Sequence, residues 1–414
     1  MKLNPVNVAW LGMLIAVISL SISKALLSIS TGIFVFAAVW QVFQQKDWQE
    51  IKQKPWIWGI VSLFVLSLIA VFYTDDLQAW GRDVRQKLPL LAIPISLALI
   101  PRFSKKQYLV LFYAFILAQS IVAVTSLVYY FLDFELINEA IKKNGNIDII
   151  GSINHIYFGL LLAFSILLGA HLILQKKILF DSRERWVVLA LTLINLVSLH
   201  ILTSRTGLVS FYMVAVFLGL FFLVQKKAYV LGGVLLAGIC LIPLASYYIF
   251  PSFKYRVDVT IWDVKQYFQK DQDLTEKSAS LRLLAWETAW EIFTTHPILG
   301  VGIADLEPEM ALQYEREQVR AKAFSRPTNP HNQYLEYLAG FGILGLLLLL
   351  WTLFYPIWYF SAQNSMLFYG FLVLFMSGML FESLLERQIG MSFFVLFMMI
   401  LTGYQSLSEY EPEN

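Results

Sequence analysis

Long apolar runs joined by short polar links set the pattern of this sequence. Twelve such runs stand out, at about 7–22, 25–43, 56–73, 88–100, 108–131, 152–174, 186–202, 206–224, 229–250, 333–355, 366–381 and 389–404. Most approach the roughly 20 residues that a helix needs to cross hydrocarbon. They do not alternate apolar with polar, as the strands of a transmembrane barrel would. A helix satisfies its own backbone hydrogen bonds in lipid. The pattern therefore predicts an all-α polytopic membrane protein with about twelve transmembrane helices. The fourth run carries Pro89 and Pro94 and is expected to be kinked or only partly inserted. Lys2 precedes the first run as in a signal peptide, but a second run follows at once, which predicts an uncleaved helical hairpin. One long segment, 251–332, breaks the rhythm.

Composition agrees with this reading. Of 414 residues, 58% are hydrophobic and 14% charged, where a soluble domain carries nearer a quarter charged. The net charge of +2 matters less than where the charge sits. Lys46, Lys52 and Lys54, then Arg102, Lys105 and Lys106, then Lys176, Lys177, Arg183 and Arg185, then Lys226 and Lys227 fall on alternate links. By the positive-inside rule both termini face the cytoplasm and 251–332 faces outward. The lone Cys240 excludes a disulfide framework and reads as a buried packing residue. No internal repeat, zinc spacing, P-loop, G-x-S-x-G or nucleic-acid motif occurs. The acidic tail 406–414 is expected to be disordered.

Arg82, Arg85, Arg205, Arg282 and Arg387 run against the charge rule, since they fall on outward links. Arg205 lies in T-S-R-T-G, between two runs with almost no link. It could snorkel to the interface, or its planar fork could meet phosphate oxygens. Arg282 lies on a helix expected over 280–294, in a stripe with Trp286 and Trp290 that suits a helix at headgroup level. That stripe could form a structural cation–π contact or face a lipid-linked phosphate. His331, between Pro330 and Asn332, stands at the start of the tenth run, one turn from Glu336. An imidazole there can take a proton from a hydroxyl. His155 is a similar but weaker candidate, and His296 is expected to order a turn. Glu382, Glu386 and Arg387 read either as a solvated hairpin with a local ion pair or as a further contribution of Arg387 to the outward arginines. Asp75 and Asp76 are a weak signal for a divalent metal. Gly300-Val301-Gly302 lacks the strand context of a dinucleotide site and predicts only a turn.

Four stretches taken together resemble the O-antigen ligase superfamily. They are S-R-T-G at 204–207, L-R-L-L-A-W at 281–286, H-P-I-L-G-V-G at 296–302 and P-H-N-Q-Y-L-E-Y-L-A-G-F-G-I-L-G-L at 330–346. The resemblance also extends to O-antigen polymerases and protein O-oligosaccharyltransferases. It implies a fold related to the lipid-sugar-dependent membrane glycosyltransferases. It divides the chain into helices of 1–185, a catalytic core of 186–355 that includes the outward segment 251–332, and helices of 356–414. It implies a bacterial inner-membrane enzyme that moves a glycan from undecaprenyl diphosphate to a lipid A-core sugar or another glycan acceptor. No cofactor, metal or nucleic acid is implied. Arg205, Arg282 and His331 match the family's motif positions, with the arginines on the diphosphate and His331 as general base. Arg387, His155, Asn332 and Trp286 are expected to help bind substrate. A secondary transporter would instead place ionisable groups near the bilayer midplane. A non-catalytic scaffold for lipid-linked glycan would need the arginines but not His331.

Overall fold

The computed structural model describes residues 4–45, 49–52, 54–149, 153–175, 183–269, 274–275, 277–316, 327–359 and 366–409. The chain is all-α. Its first part forms α1 (Pro5–Ser19), α2 (Lys24–Gln45), α3 (Gln49–Lys52), α4 (Ile57–Ile69), α5 (Leu77–Lys87), α6 (Pro89–Ala98), α7 (Lys105–Leu132), α8 (Phe134–Lys142) and α9 (His155–Leu174). There follow α10 (Glu184–Leu202), α11 (Arg205–Val224), α12 (Tyr229–Ile249), α13 (Pro251–Phe268), α14 (Ser278–Thr295) and α15 (Leu306–Arg316). The chain closes with α16 (Gln333–Tyr359), α17 (Met366–Met379) and α18 (Gln388–Gln405). It is a polytopic helical membrane protein.

All twelve apolar runs form helices, but they are not twelve equal spans. Among the described residues eight helices are long and apolar enough to cross a membrane: α2, α7, α9, α10, α11, α12, α16 and α18. Three more, α1, the α4 segment to Phe72 and α17, are apolar but shorter. The fourth run shrinks to the 10 residues of α6. At 1.5 Å per residue it reaches about half the hydrocarbon thickness. Pro89 at its first turn and Pro94 within it limit its length, and it is buried against α2, α4 and α18. The first two runs do form a helical hairpin, α1 and α2, packed on each other.

Local chemistry starts the helices. Asn4, Asp76, Asn154 and Ser204 each accept a backbone N–H at a helix N-terminus. Ser104 and Gln107 form a capping box at α7. These caps satisfy donors that hydrocarbon would leave unpaired. The core runs from Ala9 to Leu401, so early, middle and late helices share it. At its centre the rings of Phe115, Phe164, Phe371 and Phe397 join α7, α9, α17 and α18. Phe164 lies 4.5 Å from Phe397 and 5.0 Å from Phe371, edge to face. By contrast α12 is buried over only 11% of its apolar window. Cys240 on α12 is accordingly exposed, not packed in the core as its apolar surroundings suggested. The helix packs on α11 and α13 and leaves its remaining faces outward.

Among its described residues the segment 251–332 carries three helices, α13, α14 and α15, where the sequence predicts one over 280–294. It is tied to the bundle through a break in α16. Gly342 there has φ +66° and ψ −165°, which only glycine adopts readily. The G-V-G turn docks on this break: Val301 N–H donates to Ala339 O, Gly302 N–H to Gly340 O, and Ile343 N–H to Pro297 O, each at 2.9 Å. The turn is therefore more than a change of direction. The backbone carbonyl of His296 accepts from Gly300 N–H, while its imidazole meets Thr295 Oγ1. A Cβ on Gly342 would stand 2.2 Å from Ile298 O.

A buried ionic cluster fastens α5 to the link between α17 and α18. Lys87 has no exposed surface and pairs with Asp83 at 3.2 Å and Glu386 at 3.0 Å. Its ammonium also lies 5.5 Å from the Phe341 ring, beside the break in α16. Burial alone would lower the Lys87 pKa, but the two carboxylates more than offset it and hold the ammonium charged. The hairpin 380–387 is thus not a solvated one: Glu382 is 7% exposed and Leu384 and Leu385 are fully buried.

Two substitutions test these anchors. Gly342→Ala combines a positive φ with a backbone clash, and is expected to lower stability by about 2 kcal/mol or more. The check is thermal unfolding in detergent beside Gly233→Ala, where a Cβ meets nothing within 4 Å. Lys87→Met leaves Asp83 and Glu386 buried without their cation and is expected to cost about 3–5 kcal/mol. Adding Glu386→Gln should restore part of that loss in the same assay.

Candidate functional site

One end of the bundle gathers the starts of α2, α9, α11, α16 and α18, together with α5, α13 and α14. The α9–α11 crossing sets the first pair of functional side chains. Gly159 and Gly207 bring the two backbones together: a Cβ on Gly207 would lie 2.4 Å from Gly159 C. Small residues permit this approach between membrane helices. The contact holds His155, first residue of α9, beside Arg205, first residue of α11.

Thr203 makes the tight joint before Arg205 by taking φ +53°. Ser204 then caps α11 at Gly207 N–H. The hydroxyls flanking Arg205 are therefore partly committed to structure: Thr203 Oγ1 also receives Arg256 Nε at 3.4 Å. Arg205 Nη2 donates to Asn144 Oδ1 at 3.1 Å. Asn144, itself at φ +63°, donates in turn to Asp263 Oδ1. The other oxygen of Asp263 caps α14 at Ala279 N–H, 3.1 Å away. This chain of contacts ties α11 to α13 and places α14, with Arg282, across from Arg205. Arg256 on α13 completes the set, 4% exposed and bonded to Gly145 O at 2.5 Å and Asn146 Oδ1 at 3.3 Å. One of its guanidinium nitrogens is buried without a partner among the described residues. Burial, and then the Arg205 charge, pull its pKa down to about 9, against the pull of Asp263. Three guanidiniums thus gather where the carboxylates in reach, Asp263 and Glu382, are too few to neutralise them.

His331 enters from the other side. It takes φ +48°, a conformation uncommon for a residue with a side chain, and its N–H is held by Asn329 Oδ1 at 2.9 Å. Its Nδ1 lies 3.1 and 3.2 Å from the two carboxylate oxygens of Glu382. Arg282 Nη2 reaches the same carboxylate at 3.5 Å. Burial pushes the Glu382 pKa up, but the bond from His331 and the charges of His331, Arg282 and Arg387 outweigh it, and the net shift is downward. Glu382 is therefore ionised at neutral pH and only accepts hydrogen bonds. That places the proton of a neutral His331 on Nδ1 and leaves Nε2 with a free lone pair.

Two cavities meet at His331. One, of about 300 Å³, is lined by Arg205, Arg282, His155, Asn146, Ser278 and His331, among others. The other, of about 880 Å³, is lined by Lys24, Arg82, Arg85, Arg387, Glu382 and His331, among others. Ile156 and His331 border both.

The sequence expectations sort themselves on this geometry. Arg205, Arg282, His155 and His331 come together. Arg387 lines the larger cavity and stands apart from Arg205 and Arg282. Asn332 lines neither: it is 7% exposed, and its side-chain oxygen caps α16 at Tyr334 and Leu335 N–H, so it is occupied. Trp286 also lines neither. Its ring packs 6.1 Å from Phe381, and its buried indole N–H has no partner. The carboxylate beside His331 is Glu382, not the nearby Glu336, which the helix turns into the core. Asp75 and Asp76 are no metal pair: Asp76 caps α5, and both N–H groups are held by Asp305. Among the described residues no three His, Cys, Asp or Glu side chains gather as metal ligands would. Arg256 escaped the sequence reading. A helical reading of α13 would have found it, since Phe253, Arg256 and Asp263 share its buried face.

No curated protein matches the chain. Residues 188–350 match the family model described as O-antigen ligase, and that stretch contains Arg205, Arg256, Arg282 and His331. Over this segment the chain resembles the O-antigen ligase superfamily.

Proposed function

We propose that the chain transfers a glycan from undecaprenyl diphosphate to a sugar hydroxyl, as an O-antigen ligase with a lipid A-core acceptor. The observation that carries this reading is the meeting of a guanidinium cluster and a carboxylate-oriented histidine at one small cavity. The donor diphosphate sits between Arg205 and Arg282. As the bond between the anomeric carbon and the phosphate oxygen breaks, the leaving diphosphate gains negative charge. Fixed guanidiniums in a site removed from water stabilise that charge as it develops. Arg256 reinforces the field from behind Thr203.

The acceptor hydroxyl attacks the anomeric carbon from the opposite face. His331 Nε2 takes its proton, while Nδ1–H donates to Glu382, which holds the ring and stabilises the imidazolium that forms. One displacement inverts the anomeric centre, with no covalent intermediate on the protein. The site faces the periplasm of a bacterial inner membrane and both termini face the cytoplasm. Support for that orientation comes from the basic links at the opposite end of the bundle. A polymerase or a protein O-oligosaccharyltransferase would use the same donor chemistry and differ in acceptor. The ionisable site at the bundle end, not its middle, argues against a transporter.

The test is transfer by purified protein from undecaprenyl-diphosphate glycan to lipid A-core. Arg205→Ala and Arg282→Ala are each expected to lower the rate about 10²–10³-fold, and His331→Ala about 10²–10⁴-fold. A longer donor glycan with an untouched core would make the enzyme a polymerase. Carrier binding without any transfer would leave a scaffold. Full activity in His331→Ala would remove the general base from the account.

A further inference from the structure

The larger cavity has an electrostatic character that the transfer step does not use. Lys24 at the start of α2, Arg82 and Arg85 on one face of α5, and Arg387 before α18 converge on about 880 Å³ of space. None of the four side chains makes a hydrogen bond or ion pair with a described residue. Neighbouring charges are already committed: Asp83 and Glu386 to Lys87, and Glu382 to His331 and Arg282. Gln86 donates to Glu386 O and Gln388 to Ser28 Oγ, so the neutral groups among them are also held. Four cations facing one cavity with a single, already paired carboxylate form an anion site.

The position of the cavity narrows the ligand. It borders His331 and is lined by neither Arg205 nor Arg282, so an acceptor hydroxyl can approach His331 from it. Its α2 wall carries a polar stripe of Lys24, Ser28 and Thr31. Beside that stripe Leu26, Ile29 and, on the facing joint, Leu88 are exposed apolar residues, at 43%, 56% and 44%. A charged headgroup cavity with apolar lips at the surface of a membrane helix fits an amphiphile that stays in the lipid. The segment that matches the family, 188–350, contains none of Lys24, Arg82, Arg85 and Arg387.

We infer that the cavity of Lys24, Arg82, Arg85 and Arg387 binds the acceptor as a membrane-embedded glycolipid bearing phosphate groups on its headgroup, and presents its hydroxyl to His331. This rests on the transferase reading above. The arginines would pair with phosphate oxygens as bidentate forks, and Lys24 as a point charge.

The test separates the inference from that reading by measuring binding as well as turnover. The probe is lipid A-core glycolipid in nanodiscs with the full chain, compared with the same glycolipid after chemical dephosphorylation. Arg82→Gln and Arg85→Gln together, and Arg387→Gln alone, are expected to weaken binding of the phosphorylated probe roughly tenfold for each arginine lost. Dephosphorylation should weaken wild-type binding similarly and leave the variants little changed. Where transfer is observed, the acceptor KM should rise by that factor while the donor KM stays put. Arg82→Lys with Arg85→Lys should recover part of the affinity, and raised salt should reduce it. Equal binding of both probes to wild type would overturn the inference, as would a rise in donor KM with acceptor KM unmoved. Inorganic diphosphate displacing the probe at equal concentration would refute the lipid-borne part. Phosphate-dependent binding without transfer would keep the anion site and reject the transferase reading.

Discussion

The carboxylate of Glu382 is the contact on which the arrangement of the site depends. A carboxylate 7% exposed at the rim of an apolar bundle must find positive partners or lose its charge. It finds two, His331 ahead of α16 and Arg282 on α14. Neither side chain could be placed by its own helix alone, since one follows a proline in a strained turn and the other rides on a segment outside the apolar bundle. One turn further on, Glu386 does the same with Lys87 and so fixes α5. The short link between α17 and α18 thus joins three distant parts of the chain at one end of the bundle.

Backbone constraints supply the rest. Glycines at 159 and 207 let α9 and α11 touch, which sets His155 by Arg205. Glycines at 300 and 342 let the segment 251–332 hydrogen-bond to the break in α16, which keeps α14 over the site. On this frame the positive charges at this end of the bundle separate into two groups, one in each cavity that borders His331. That separation is what a two-substrate transfer needs: one anion on each side and a base at the junction. In the proposed mechanism the same residue that receives the proton marks the border between donor and acceptor.

Much of the fold was legible because hydrocarbon demands apolar helices, and each run in the sequence became a helix, though only some are long enough to span. The misread parts are those where length and packing override hydropathy, as in α6 with its two prolines. Cys240 was misjudged because an apolar run does not say whether its faces meet protein or lipid. Of the residues that come together, Arg205, Arg282 and His331 stood out by motif, the two arginines also by charge against the expected orientation, and His155 only as a histidine at the start of an apolar run. Glu382 did not, because an acid in a short hairpin reads as solvated until the packing of Leu384 and Leu385 around it is known. Arg256 was hidden within a helix whose buried stripe contains charge. Asn332 and Trp286 stand near His331 and Arg282 in sequence, but one is consumed as a cap and the other packs on Phe381.

The most direct measurement is a cryo-EM structure of the chain in nanodiscs with undecaprenyl diphosphate bound. The account predicts phosphate density within hydrogen-bonding reach, about 2.7–2.9 Å, of the Arg205 and Arg282 guanidiniums, on the His155 side of His331. Phosphates lodged instead among Lys24, Arg82, Arg85 and Arg387, with Arg205 and Arg282 bare, would contradict it and reverse the roles of the two cavities.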